Sequence, residues 1–201
     1  MKKIISILLS FVLAFGIAAP TINAQAASAK TKKKAIKAYK EWLDGTDFRG
    51  FRLYDVDKDG IKELLVTHDG YGNNVFSVYV YTYKNGKVVD CINNDYQPDY
   101  SALGFTYNKS TKRMYGSRGG GGSIENWYYT LTKSKKLKKV YLKAIENGYN
   151  TKTGKITYKY YYKGKRITKK KYVSIYKSWK KNAKPLKFYK LSSKNIKKYV
   201  K

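Results

Sequence analysis

Four carboxylates lie close together in one segment of the chain, Asp55-Val56-Asp57-Lys58-Asp59-Gly60-Ile61-Lys62-Glu63-Leu64. Calcium is a hard cation that takes roughly six to eight oxygen ligands, and alternate side chains of a tightly curled loop can converge on one such ion. The glycine permits a sharp turn at a backbone angle that other residues resist. The spacing therefore predicts a calcium site whose ligands are the side chains of Asp55, Asp57, Asp59 and Glu63 and the backbone carbonyl of Ile61.

The alternative for this segment is an aspartate-rich turn without a metal, in which the carboxylates accept hydrogen bonds from backbone N–H groups. Carboxylates packed this closely repel one another unless a cation lies among them, which favours the metal site. The segment is not a complete EF-hand loop, because Val66 stands where an EF-hand has its bidentate glutamate. The apolar run Leu64-Leu65-Val66-Thr67 that follows predicts a buried strand rather than a helix.

The elements around the loop are predicted from hydrophobic periodicity. Residues 48–54 and 63–67 form strands on either side, so the pair is expected to be a hairpin with the ion site at its tip. Residues 30–43 form a helix, because apolar side chains recur at helical spacing with lysines on the other face. Asn85-Gly86, the preferred two-residue hairpin turn, joins strands at 75–84 and 87–92.

The rest of the chain continues as short strands and ends in helices. Strands are predicted at 103–108, 113–117, 123–132, 136–146 and 156–163, and a last short one at 186–191. Thr168 is expected to cap a helix over 169–182, and Ser192 or Ser193 a final helix. The four glycines of the run 119–122 predict a slack segment. The fold class is therefore α+β: an antiparallel β-meander of hairpins with an N-terminal helix and two C-terminal helices.

The N-terminus has the pattern of a secretory signal peptide over residues 1–26. Lys2 and Lys3 precede an apolar stretch, and Ala24-Gln25-Ala26 is a small-residue cleavage site. The sequence thus predicts a secreted, extracellular protein with a single domain over residues 27–201 and no membrane anchor. Cys91 is the only cysteine, so no internal disulfide can form, and its expected role is that of a small strand residue.

Charge divides the chain into two unequal halves. The whole chain has 43 Lys and Arg against 13 Asp and Glu, a formal charge of +30. Residues 27–99 hold 12 basic and 11 acidic residues, whereas residues 100–201 hold 29 basic and only 2 acidic ones. Such a field favours a polyanionic partner: teichoic acid of a cell wall, an anionic membrane surface, an acidic glycan or a nucleic acid. The alternative is that the lysines serve solubility alone.

Several segments together resemble a group of uncharacterised secreted proteins of Clostridia-like Gram-positive bacteria with a single D-x-D-x-D-G-x-x-E-L calcium loop. The matching segments are a Tyr-x-x-Trp-Leu helix, residues 53–66 around the loop, the hairpin at 80–88, Gly164-Lys165-Arg166-Ile167-Thr168 with Tyr172, and Leu191-Ser192 with Asn195-Ile196. The loop is also similar to those of FG-GAP and VCBS repeats, where the acid at the position of Glu63 is a ligand. One loop rather than a series argues against a propeller. The resemblance implies secretion and calcium binding but no reaction.

Two functions compete on this reading. The first is a secreted, non-enzymatic calcium-binding protein of the cell surface or extracellular space, whose polycationic face meets a polyanion. Tyrosines interleaved with lysines at 158–163 would supply contacts beside that charge, unless they are alternate core and surface positions of a strand. The alternative is a secreted hydrolase acting on wall or glycan, with calcium structural. His68 is the only histidine, and no acid pair with a recognisable spacing lies outside the calcium loop, so no catalytic residue is predicted.

Overall fold

The structure, a computed structural model, describes residues 27–73, 75–91 and 104–201. The predicted signal peptide lies outside the described residues, as does the end of the strand expected at 87–92. In chain order the elements are α1 (Ala29–Asp44), β1 (Gly50–Tyr54), β2 (Glu63–Thr67), β3 (Tyr79–Lys84), β4 (Lys87–Asp90), β5 (Thr106–Asn108), β6 (Arg113–Gly120), β7 (Ser123–Leu131), β8 (Leu137–Asn150), β9 (Lys155–Tyr162), β10 (Lys165–Ile167), α2 (Lys169–Lys180), β11 (Lys184–Pro185), β12 (Tyr189–Lys190) and α3 (Ser193–Tyr199).

The strands form two antiparallel sheets. The first sheet has five strands in the order β12-β1-β2-β3-β4, and the second has seven in the order β10-β9-β8-β7-β6-β5-β11. The predicted α+β class is confirmed, with one helix before the strands and two near the C-terminus. Three side chains cap the helices as an N-cap should, each accepting a hydrogen bond from a backbone N–H of the first turn: Ser28, Thr168 and Ser192.

The described elements pack in four layers. One face of the first sheet carries Leu64 and Val66, which pack against α1 and the end of α3. The opposite face carries Leu65 and Val80, which share a core with Tyr107 and Met114 of the second sheet. The outer face of the second sheet packs on α2. Because β2 is covered on both faces, all five of its residues are buried, as its continuous apolar run predicts.

The C-terminal segment after α2 joins the two sheets. Its first short strand, β11, pairs with β5 in the second sheet, and β12 pairs with β1 in the first. Leu186 and Phe188, between them, are buried in the core that the sheets share. The single strand expected at 186–191 is therefore wrong in detail, because the chain crosses between sheets there and pairs with each for only two residues.

The glycine run does not form a slack segment, so that expectation is wrong. Gly119 and Gly120 belong to β6 and pair with Ile124 and Ser123 of β7. Gly121 and Gly122, with φ of 55° and 73°, make the two-residue turn between these strands. Two successive residues with positive φ are what the commonest β-hairpin turn requires, so glycine is needed here for its conformation.

Candidate metal centre

The acidic loop, residues 55–63, closes the hairpin of β1 and β2. The two strands pair from Gly50 opposite Thr67 to Tyr54 opposite Glu63, so the loop lies at the hairpin tip as predicted. Gly60 has a φ of 90°, and its N–H donates to Asp55 Oδ2 over 3.1 Å. The N–H of Ile61 donates to Asp59 Oδ1 over 2.8 Å. These bonds curl the backbone tightly around its own carboxylates.

Three of the predicted ligands come together in this loop. One carboxylate oxygen from each of Asp55, Asp57 and Glu63 lies within 4.8 Å of the other two. Two oxygens on opposite sides of one calcium ion are about 4.8 Å apart, since each bond is about 2.4 Å long. The triad thus fits a single cation. Asp59 lies outside this triad, and the role of the Ile61 carbonyl as a ligand stays a prediction.

Glu63 is the most buried acid of the loop, with no exposed surface. Its Oε2 accepts from the N–H of Val56 at 2.9 Å, and its Oε1 accepts from the hydroxyl of Thr82 at 3.1 Å. Burial disfavours the charged form and raises the pKa of Glu63 to about 7, although the nearby ammonium of Lys135 opposes this shift. A cation beside Glu63 would favour its ionised form.

The ammonium of Lys135 lies among the carboxylates of the loop. Its Nζ is 2.7 Å from Asp59 Oδ2, 2.9 Å from Asp57 Oδ2 and 3.1 Å from Glu63 Oε1. An ammonium has three N–H donors, so three acceptors satisfy it fully. Its burial alone would lower the pKa of Lys135, but the surrounding carboxylates outweigh that effect and raise it well above its usual range. Lys135 therefore supplies part of the positive charge that the acidic loop needs.

Lys135 reaches the loop from the second sheet. It belongs to the turn between β7 and β8, where its N–H donates to the carbonyl of Thr132 over 2.9 Å. Its φ of 64° is unusual for a residue with a side chain and costs about 1–2 kcal/mol. The three ion pairs at its Nζ offset this cost. No spacing rule could have singled Lys135 out, because it is one of 43 basic residues and lies 72 positions from Glu63.

The residues of the loop fit a metal ion better than they fit Lys135 alone. Asp55 Oδ1 and Asp57 Oδ1 are both buried and have no hydrogen-bond partner. A buried carboxylate oxygen without a partner costs roughly 1–3 kcal/mol or more. The ammonium of Lys135 also brings a single positive charge to a loop that contains four acids and two lysines. A divalent cation bound by Asp55, Asp57 and Glu63 would contact the oxygens that Lys135 does not reach.

Two other reactive side chains take structural positions. His68 stacks on Phe48 with ring centroids 4.1 Å apart and lies edge-on to Tyr79. Cys91, which is 1% exposed, belongs to the core between the sheets, where burial raises the pKa of its thiol to about 12. A thiol with so high a pKa stays protonated and is a poor nucleophile.

The alternating tyrosines of β9 lie against α2. Tyr160 packs on Tyr172 of the helix with ring centroids 4.9 Å apart, and Tyr158 lies 6.4 Å from Tyr160 on the same face. Tyr162 lies 6.1 Å from Trp179. Tyr160 and Tyr162 thus contact the helix, as the expectation of a core-facing side of this strand predicts. Burial does not alternate along the strand, however, because Lys159 and Tyr161 are half-buried as well.

Comparisons with known proteins return nothing: no family model, no curated protein and no solved structure matches this chain. Among the residues that the structure describes, no helix is long and apolar enough to cross a membrane. The candidate metal centre therefore depends on the geometry of the acidic loop alone.

Proposed function

We propose that this protein is a secreted calcium-binding protein, a non-enzymatic binding module of the cell surface or extracellular space. The acidic loop binds one calcium ion through Asp55, Asp57 and Glu63, with Asp59 and the carbonyl of Ile61 as further ligands. The basic half of the chain binds a polyanion, such as teichoic acid, an anionic membrane surface or an acidic glycan.

The observation that supports calcium binding most strongly is the pair of buried, unpartnered oxygens at Asp55 and Asp57. Buried polar atoms in proteins nearly always have a partner, so two orphaned carboxylate oxygens beside a third carboxylate indicate a ligand that takes oxygen. Calcium prefers such ligands over nitrogen or sulfur. Outside the cell calcium is abundant, and a site of modest affinity is filled there.

The observation that supports a polyanionic partner is the scarcity of acids in the basic half. Glu125 and Glu146 are its only two carboxylates. Glu125 is already used, because Arg118 Nη2 lies 2.6 Å from its Oε2 and the ammonium of Lys143 lies against its Oε1. Glu146 is exposed. Lys135 pairs with the acidic loop of the other half. With one further carboxylate side chain left in this half, most of its other lysines must find their counter-charges in ions or in another molecule.

Thermal unfolding with and without calcium tests the metal site. At a free calcium concentration of about one hundred times the dissociation constant, binding adds about 2.7 kcal/mol to the free energy of unfolding. For a chain of this size, that raises the melting temperature by about 5–10 °C. We expect EDTA to remove the increase and calcium to restore it, with magnesium much less effective.

The matched control compares two double substitutions that remove equal charge. Asp55→Asn/Asp57→Asn should abolish the calcium response, whereas Asp44→Asn/Asp47→Asn, at exposed positions, should keep it. Isothermal titration calorimetry of the same proteins gives the affinity directly. The proposal would be contradicted if neither EDTA nor calcium changed the melting temperature of the unsubstituted protein.

A further inference from the structure

The strongest unassigned feature of the basic half is a groove at one end of the second sheet, with a volume of about 530 Å³. Its lining comes from three successive strands, β6, β7 and β8, and from the turn between β9 and β10. The side chains that matter here, called the cationic groove below, are Arg113, Tyr128, Thr130, Lys138, Val140 and Lys163.

Strand register places these residues side by side. Tyr128 of β7 pairs with Val140 of β8, and Thr130 pairs with Lys138 two residues further on, so all four face the same side of the sheet. Lys163 follows β9 in a turn that its φ of 49° makes possible, and its N–H donates to the carbonyl of Tyr141 in β8. Backbone hydrogen bonds thus place Lys138 and Lys163 at the groove, beside Arg113. A fourth cation of the lining, Lys139, has its ammonium over the rings of Trp127 and Tyr141.

None of the residues that line the groove is an acid that could form an ion pair with these cations. The described lining contains no carboxylate and no carboxamide side chain. Lys138 and Lys163 are both exposed. Three like charges around one groove repel one another, so an anion that binds there gains from all three at once.

Arg113 is fixed in place by the tyrosine beneath it. Its guanidinium carbon lies 4.3 Å from the ring centroid of Tyr128, a cation–π contact. A guanidinium above a ring keeps its N–H donors, and the fork that they form matches two oxygens of one phosphate. Tyr128 is itself buried, with 6% of its surface exposed, so a nucleobase cannot stack on its ring. Base stacking is a main source of affinity for single-stranded nucleic acids.

The chemistry of the lining also bears on the polymer. A glycan presents many hydroxyl donors for each acidic group. The side chains that line this groove offer four cations against three hydroxyls, those of Tyr128, Thr130 and Tyr141, and no carboxylate, so they suit a ligand rich in charge better than one rich in hydroxyl donors. A membrane surface would be expected to meet exposed apolar side chains. The large exposed ones, such as Ile145, Tyr149 and Ile156, do not line the groove.

We propose that the cationic groove binds a flexible polymer of phosphodiester-linked polyol units, with Arg113, Lys138 and Lys163 each contacting phosphate oxygens. This inference rests on the proposed polyanion-binding function and names the site and the ligand chemistry within it. The phosphate groups of such a polymer carry both its negative charge and most of its hydrogen-bond acceptors. The groove therefore needs to supply donors rather than acceptors.

Binding to poly(glycerol phosphate) tests the proposal. The protein beginning at Ala27 is compared with Arg113→Gln/Lys138→Gln/Lys163→Gln, and with the control Lys152→Gln/Lys155→Gln/Lys170→Gln, which removes the same charge at exposed positions elsewhere. Each phosphate contact to a flexible strand contributes about 0.7 to the slope of log affinity against log salt. For the groove variant we expect the slope to fall by about 2 and the affinity at 50 mM salt to fall by about tenfold or more. The control should lose far less of both.

Two further variants keep the test decisive. Lys138→Gln/Lys163→Gln changes only exposed side chains, so it tests the groove even if the triple variant does not fold, and it should lose about 1.4 from the slope. Arg113→Lys keeps the charge but removes the guanidinium fork, so we expect an almost unchanged slope and a weaker affinity.

The outcomes separate the groove from the wider function. Equal losses in the groove variant and its control would overturn the groove while leaving polyanion binding intact. The choice of a polyol phosphate would be overturned by another probe that binds as tightly as poly(glycerol phosphate) and loses affinity in the groove variant. The probes to compare are polygalacturonate, an oligonucleotide and phosphatidylglycerol vesicles. If the unsubstituted protein bound none of these probes at low salt, both the groove and the proposed polyanion partner would be wrong.

Discussion

The acidic loop and the cationic groove meet the same electrostatic problem in opposite ways. In the loop, four carboxylates lie at a hairpin tip, and Lys135, from a turn of the other sheet, forms ion pairs with three of them. In the groove, three cations surround a tyrosine and a threonine, and no carboxylate of the lining answers them. A buried charge must be compensated by other groups of the fold, whereas a charge at the surface is solvated by water and can later pair with a ligand.

The largest expected effect comes from removing the buried charge of the loop. Glu63→Ala leaves the N–H of Val56, the hydroxyl of Thr82 and the ammonium of Lys135 without one of their acceptors in a fully buried place. We expect the free energy of unfolding, measured with urea, to fall by about 3–5 kcal/mol. The matched change in the groove, Lys138→Ala, should leave it almost unchanged. Similar losses for both would break the contrast.

A smaller effect, and one that depends on calcium, is expected for Lys135→Met. Without calcium, three carboxylates lose their ammonium, and the free energy of unfolding should fall by about 2–3 kcal/mol. With calcium present the loss should shrink, because no lysine then opposes the ion. We expect calorimetry to show calcium affinity rising by about tenfold, or about 1.4 kcal/mol. Lys136→Met, at the next, exposed position, is the control, and weaker calcium binding in Lys135→Met would contradict this prediction.

The smallest effect concerns Glu125, the acid that the second sheet pairs internally. Burial alone would raise the pKa of Glu125, but bonds from Lys143 and Arg118 outweigh it and lower the pKa below its ordinary value. A lowered pKa in the folded state stabilises the protein above about pH 4.5, and this stabilisation is lost as the pH falls through the folded-state pKa.

Glu125→Gln should therefore lower the free energy of unfolding by about 1 kcal/mol at pH 7, and by progressively less as the pH falls below about 4.5. Urea unfolding at a series of pH values measures the difference between the two proteins. Glu146→Gln, at an exposed site, should show no such convergence. A difference that stayed constant over this range would exclude an ionised Glu125 as its cause.

Local patterns in the sequence predict local structure well here. The spacing of Asp55, Asp57 and Glu63 predicts a cluster that the structure confirms as a triad, because all three lie in one short loop. Residue type likewise predicts helix caps at Thr168 and at Ser192 or Ser193, and the structure has them at Thr168 and Ser192. In each case the interacting groups are fewer than ten residues apart, so backbone geometry nearly fixes their contact.

Features that depend on distant contacts escape such reasoning. Lys135 meets Asp57 across 78 positions, and composition cannot distinguish it from its basic neighbours. The glycine run was expected to be slack because composition does not reveal that Gly119 and Gly120 pair with β7. The division of the strands into two sheets also depends on where β11 and β12 pair, and strands of two residues leave almost no periodic signal.

The attachment of Lys135 to the acidic loop has a consequence for the order in which the chain matures. A chain that is synthesised from its N-terminus contains the loop well before the turn between β7 and β8 has been made. During that interval the aspartates repel one another with no lysine in place. Under the proposed function, calcium bound at the loop neutralises these aspartates and stabilises the hairpin until Lys135 is in place. The rate of refolding after dilution from urea should then increase with calcium.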